Sequence, residues 1–139
     1  MCGIAGIIKF DSINEKLCAI VKNLADNLDH RGPDETGFYQ DENICFAHKR
    51  LAIIDLTKSA NQPMVTETKS LVVTFNGEIY NHVELRKELE KSFAFKSHHS
   101  DTEVILAAYQ KWGIKCLSKL TGMFSIAIYD KEKVEKDLF

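Results

Sequence analysis

A cysteine at position 2, directly after Met1, is open to chemistry that an internal cysteine is not. Removal of Met1 would leave Cys2 with both a thiol and a free α-amine, so one residue could supply nucleophile and base. An α-amine titrates at about 7.7–8.0 and a thiol at about 8.5, so a proton passes between them at little cost near neutral pH. Amide cleavage by such a thiol also needs fixed donors where the tetrahedral intermediate develops negative charge. Asn76 and Gly77 offer a side-chain amide and a glycine N–H, read here as a tight turn after an apolar run. An α-amino acid substrate would need a cation for its carboxylate and anions for its ammonium, and Arg50, Glu78 and Asp101 can supply them. Each has a plainer reading. Asn76-Gly77 also fits an ordinary hairpin turn, and the three charged residues also fit solvated side chains or helix caps.

Other polar residues carry less. His98-His99 next to Asp101 hints at a metal, but adjacent histidines on a strand point to opposite faces, and no metal site is expected. His30 and His48 read as structural hydrogen-bonders. The Arg31-Gly32-Pro33-Asp34 segment reads as a bare turn or as a turn packed over the site. Cys18, Cys45 and Cys116 match no CxxC pattern and lie in apolar surroundings, so they read as inert buried thiols.

The elements that position these groups follow from periodicity. A strand is expected over Gly3–Phe10, then a helix from Ser12 to Asp29 with Leu17, Ile20, Val21, Leu24 and Leu28 as its apolar stripe. Strands follow at Gly37–Gln40, Asn43–His48 and Arg50–Asp55 as a meander, then a polar, turn-rich stretch over Leu56–Thr68. Leu71–Phe75 reads as a buried strand. Helices are expected over Asn81–Lys91 and from Ser100, where Ser100 and Glu103 fit a capping box and Val104, Ile105, Ala108 and Tyr109 turn inward. A short helical turn around Cys116–Leu120 and a strand over Met123–Asp130 complete an α+β layered domain spanning residues 1–139.

Composition sets limits. The 139 residues are 45% apolar and 27% charged, enough for one core. The net charge of -2, without a basic stripe, argues against nucleic acid as a partner. Apolar runs such as Val72–Phe75 and Ile126–Tyr129 fall far short of the roughly 20 residues that span a bilayer. No basic flank or cleavage-type segment resembles a secretory signal, so no membrane association and a cytoplasmic location are expected.

Seven segments together resemble the glutaminase domain of class II glutamine amidotransferases, most closely that of glutamine-dependent asparagine synthetases. They are Met1-Cys2-Gly3-Ile4-Ala5-Gly6, His30-Arg31-Gly32-Pro33-Asp34, Ala47 through Asp55, Asn61-Gln62-Pro63-Met64, Phe75 through Asn81, Ser100 through Ile105, and Gly122 through Ala127. The resemblance implies an N-terminal nucleophile hydrolase fold, a four-layer αββα sandwich of two antiparallel sheets between helices. It implies hydrolysis of L-glutamine to glutamate and ammonia by Cys2 through a thioester, with Asn76 and Gly77 as oxyanion hole. Arg50 would hold the substrate carboxylate, Glu78 and Asp101 its ammonium, and the backbone of Leu51, Ala52, Ile53 and Ile54 would line the pocket.

Against the family pattern the chain stops early, at Phe139. The expectation is a C-terminally incomplete domain without its last strands or the synthetase domain, with Lys133–Phe139 as the start of a severed strand. No cofactor is expected in this chain, since ATP and Mg would belong to that synthetase domain, and ammonia would go to a separate ammonia-accepting synthetase. A truncated or pseudo-amidotransferase that binds glutamine or a partner without turnover stays open, as does a homodimer. With Met1 attached, the α-nitrogen of Cys2 is an amide and the site would be inactive.

Overall fold

The computed structural model describes residues 2–9 and 12–133. The state of Met1 and the strand expected over Lys133–Phe139 fall wholly or almost wholly outside those residues.

The chain runs through β1 (Gly3–Ile8), α1 (Glu15–Asp26), β2 (Glu35–Gln40), β3 (Ile44–Arg50), β4 (Met64–Val65), β5 (Leu71–Ile79), α2 (His82–Leu89), α3 (Asp101–Trp112) and β6 (Gly122–Asp130). Short 3₁₀ turns occupy Asp29–Arg31, Lys58–Ala60 and Gly113–Lys119. Among the described residues these strands form two antiparallel three-stranded sheets, ordered β1-β3-β2 and β4-β5-β6. The expected meander is therefore half right: β2 and β3 form a hairpin, but β1 takes the free side of β3.

Alternation along β3 decides the layering. Cys45 and Ala47 turn outward to meet Cys18, Val21 and Ala25 of α1. Ile44 and Phe46 turn inward to meet Val72 of β5. Leu71, Val73, Phe75 and Ile79 of β5 pack on its far side against α2 and α3. The layers are thus α1, first sheet, second sheet, then α2 with α3, the α+β four-layer sandwich expected from the resemblance. Among the described residues no helix is long and apolar enough to cross a membrane.

Local departures from the sequence reading have physical reasons. Helix α1 starts at Glu15 because the Asn14 side chain accepts from Leu17 N at 3.0 Å, and it ends where Asn27 Nδ2 donates to Asn23 O at 2.8 Å. Its buried face is Cys18, Val21 and Ala25, whereas Ile20 and Leu24 of the expected stripe stay exposed. Small residues on the sheet, Cys45 and Ala47, are met by small residues on the helix. Ser100 does cap α3, its Oγ accepting from Glu103 N at 3.3 Å. Glu103 does not reciprocate; its carboxylate accepts from Lys96 N and Ser97 N instead, so only half of a capping box forms. The inward set Val104, Ile105, Ala108 and Tyr109 is buried, together with every other residue from Asp101 to Tyr109.

The largest correction concerns Asn76-Gly77. It is no turn: β5 runs on through both residues to Ile79, pairing Asn76 with Ser125 and Gly77 with Phe124. A Cβ at Gly77 would lie 2.2 Å from Met123 O, so the glycine serves close approach of β6. Likewise Arg50 ends β3, and Leu51–Ile54 form a loop, not the first residues of a new strand.

Candidate active site

Cys2 continues the face of β1 that carries Ile8 toward the second sheet. Its carbonyl accepts from Arg31 Nε at 3.0 Å, which ties the chain start to the turn after α1. Its sulfur accepts from Leu51 N at 3.3 Å and lies 3.6 Å from Leu51 O. Asp34 Oδ2 accepts from Ala52 N at 2.8 Å. The Arg31–Asp34 segment is therefore a turn packed on the site, the fuller of its two readings.

Arg50 organises the loop that follows it. Its guanidinium is buried and donates to Thr57 O at 3.0 Å, to Asn61 Oδ1 at 2.6 Å and to Asp55 O. Asp55 closes the same loop, accepting from Thr57 N and Thr57 Oγ1 at 2.8 and 2.6 Å and from His99 N at 3.1 Å. Burial alone would raise the Asp55 carboxyl. The Thr57 and His99 hydrogen bonds and the nearby Arg50 charge outweigh it and bring it down to about 2.

The free edge of β5 shows why Gly77 matters. Tyr80 N bonds Thr121 O at 2.7 Å and Lys131 N bonds Ser70 O at 2.9 Å, so even-numbered residues of β5 exchange hydrogen bonds with β6. Odd-numbered N–H groups then point the other way, toward β4, which ends at Met64. Beyond that end, Phe75 N donates to Gln62 Oε1 at 2.7 Å and Ile79 N donates to Asp101 Oδ2 at 3.2 Å. Gly77 N–H lies between these two, aimed into the pocket.

Gln62 also donates from Nε2 to Thr102 Oγ1 at 3.0 Å, bracing β5 against α3 beside Asp101. Asp101 is buried, and burial raises its carboxyl above the usual range, opposed by the N–H of Ile79. His48 is 1% exposed. Burial pushes its imidazole down to about 4, the bond to Phe75 O opposing and Arg50 adding to the shift, so the ring is neutral at physiological pH. Its structural reading stands.

One cavity of about 160 Å3 collects Cys2, Arg50, Leu51, Ala52, Ile53, Ile54, Gly77, Glu78 and Asp101. Glu78 stands exposed at its rim. Of the sequence-expected residues only Asn76 is absent from the lining; it projects between the sheets, with Oδ1 buried. Residues that the sequence reading passed over as lining are Asp55, Ala60, Gln62, Phe75, Ser100, Thr102 and Met123. The Asp55-Leu56-Thr57 spacing is an Asx-turn signature that could have flagged Asp55, whereas nothing local marks Gln62. Cys18, Cys45 and Cys116 are free and buried, and burial raises Cys45 to about 12 and Cys116 to about 11, which leaves those two thiols unreactive. Among the described residues no three His, Cys, Asp or Glu side chains are grouped to hold a metal.

Comparison with known proteins fits this geometry. A family model described as a glutamine amidotransferase domain matches residues 1–138. The chain is 44% identical over 135 residues to asparagine synthetase [glutamine-hydrolyzing] 2 of Bacillus subtilis, covering 96% of this chain and 18% of that protein. It is also 44% identical over 135 residues to asparagine synthetase B [glutamine-hydrolyzing] of Escherichia coli, covering 96% and 24%. It thus spans a quarter or less of these relatives' length. The glutamine phosphoribosylpyrophosphate amidotransferase of B. subtilis superposes over 94% of this chain and 35% of its own, with a TM-score of 0.74 at 19% identity, a likeness of fold.

Proposed function

Because this chain belongs to the glutamine amidotransferase domain family, we propose that it hydrolyses L-glutamine to glutamate and ammonia, with Cys2 as nucleophile once Met1 is removed. The observation that carries the reading is that Gly77, whose N–H points away from β6, lines the same cavity as Cys2, Arg50 and Asp101.

The Cys2 thiol gives its proton to its own α-amine and attacks the side-chain carbonyl carbon of glutamine. The carbonyl oxygen becomes an oxyanion held by Gly77 N–H and the Asn76 amide. Collapse breaks the C–N bond, the proton moves from the α-ammonium to the departing nitrogen, and ammonia leaves a thioester on Cys2. Water then attacks the thioester, releasing glutamate and restoring the thiol. Arg50, held rigidly by Asp55, Thr57 and Asn61, takes the substrate carboxylate. Asp101 and Glu78 take its ammonium, and the loop backbone over Leu51–Ile54 packs along its side chain.

These steps call for no cofactor in this chain. The ammonia is meant for an asparagine synthetase-type amidation, whose ATP and Mg would be bound by a synthetase unit. The working compartment is the cytoplasm, where four free thiols remain reduced.

The test joins mass spectrometry with glutamate release. Chain lacking Met1 should release glutamate from glutamine, and Cys2→Ala should not. Equally slow release by both, with Met1 confirmed absent, would leave a glutamine-binding protein without turnover.

A further inference from the structure

We propose that a single buried water, shared by His48 Nδ1, Thr74 Oγ1 and Asn76 Oδ1 between the two sheets, is a fixed part of the site and positions the Asn76 carboxamide. Those three atoms are buried, and none has a hydrogen-bond partner among the described residues. Unpaired buried polar atoms are costly, so three on the facing sides of β3 and β5 call for a ligand.

Their placement follows from strand alternation. Phe75 turns toward the helices, so Thr74 and Asn76, its neighbours on β5, turn toward β3. His48 meets them from β3, its Nε2 lying 3.2 Å from the carbonyl of Phe75, the residue between them. All three side chains therefore converge on one short stretch of the inter-sheet space.

Hydrogen-bond chemistry then selects the occupant. A carbonyl only accepts, so Nε2 carries the imidazole proton and Nδ1 of the neutral ring is a bare acceptor. Asn76 Oδ1 is a second bare acceptor. Thr74 Oγ1 brings one proton to donate. A single water closes the set: it donates to Nδ1 and to Oδ1 and accepts from the Thr74 hydroxyl. Three polar partners are the usual complement of a buried water. A metal cation is disfavoured, since no carboxylate or thiolate belongs to the cluster.

The consequence concerns orientation. With Oδ1 tethered to the water, Nδ2 is the end of Asn76 left free to donate to a substrate oxyanion. This positioning role rests on the glutaminase reading, whereas the water site does not.

The test has two arms. A crystal structure of the protein that resolves ordered solvent should show one water within about 3.2 Å of all three atoms. Direct bonds among His48, Thr74 and Asn76 with no water between them would overturn the site. In the second arm, Thr74→Val, which keeps the shape and removes the hydroxyl, should lower kcat for glutamine about 10-fold with KM within about twofold. Thr74→Ser should restore kcat. A purely packing role for Thr74 predicts the reverse order, with Val tolerated and Ser impaired, and would overturn the positioning claim. Wild-type chain without turnover would sink the glutaminase reading and with it the positioning role, while the water's presence is still decided by the first arm.

Discussion

At one end of the space between the sheets, β3 and β5 contribute Ile44, Phe46 and Val72, sealed by Ile8, Tyr39, Val65, Ala127 and Tyr129. One step further along, the inward positions of the same strands carry His48, Arg50, Thr74 and Asn76, and the space opens into the cavity beside Cys2. β3 and β5 run through both ends, but β4 flanks β5 only at the closed end, at Val72 and Val73, so the two ends differ in their inward side chains and in how far β5 is flanked. Apolar alternation closes the sandwich and supplies stability. Polar residues at the same inward-facing positions forgo that burial and obtain a site, kept from collapsing by hydrogen bonds to loops and to α3.

The largest loss of activity belongs to Cys2. Cys2→Ala should reduce glutamate release by about 10³-fold or more and leave the melting temperature near wild type. At the closed end the pattern should invert. Phe46→Ala should cost about 3–5 kcal/mol in urea unfolding, while the fraction still folded keeps its kcat. Gly6 sharpens the expectation, since a Cβ there would lie 2.6 Å from the Phe46 ring, so the pocket around Phe46 is already tight.

Smaller effects test the loops that hold the open end apart. Asp55 sits near 2 against an ordinary 3.8, so its charge stabilises the fold above about pH 3.8 and that contribution fades as pH falls toward 2. Asp55→Asn should therefore cost about 2 kcal/mol at neutral pH, and the gap to wild type should shrink in urea titrations taken between pH 5 and 2.5. The mildest effect belongs to Asp101, whose carboxyl is raised. As pH falls through its raised value the carboxylate is protonated, so KM for glutamine should climb on the acid side a few-fold before kcat changes. A KM that stays flat there would remove Asp101 from ammonium binding.

Much of this was legible in the sequence because it rests on short-range pattern. The strand, helix, strands, helices, strand order and the Ser100 cap follow from periodicity and propensity. Cys2, Arg50, Gly77, Glu78 and Asp101 were each identifiable by type and line one cavity. What failed was long-range. Asn-Gly is a turn signal in isolation, but β6 pairs along the whole of β5 and overrides it. The Arg50–Asp55 run looks like a strand, yet Arg50 draws the chain back through Thr57 and Asn61. Gln62 was invisible as a brace because its partners, Phe75 and Thr102, lie 13 and 40 residues away.

Helix α3 has one further implication. Its first nine residues, Asp101 to Tyr109, are buried on every side. Their amides should be among the last in the molecule to exchange with deuterium, opening only with global unfolding. Asp101 is thus mounted on a fully buried stretch of helix, whereas Glu78 stands exposed at the rim. A ligand gripped by both would have one anchor with no freedom to adapt and one that follows its arrival and departure.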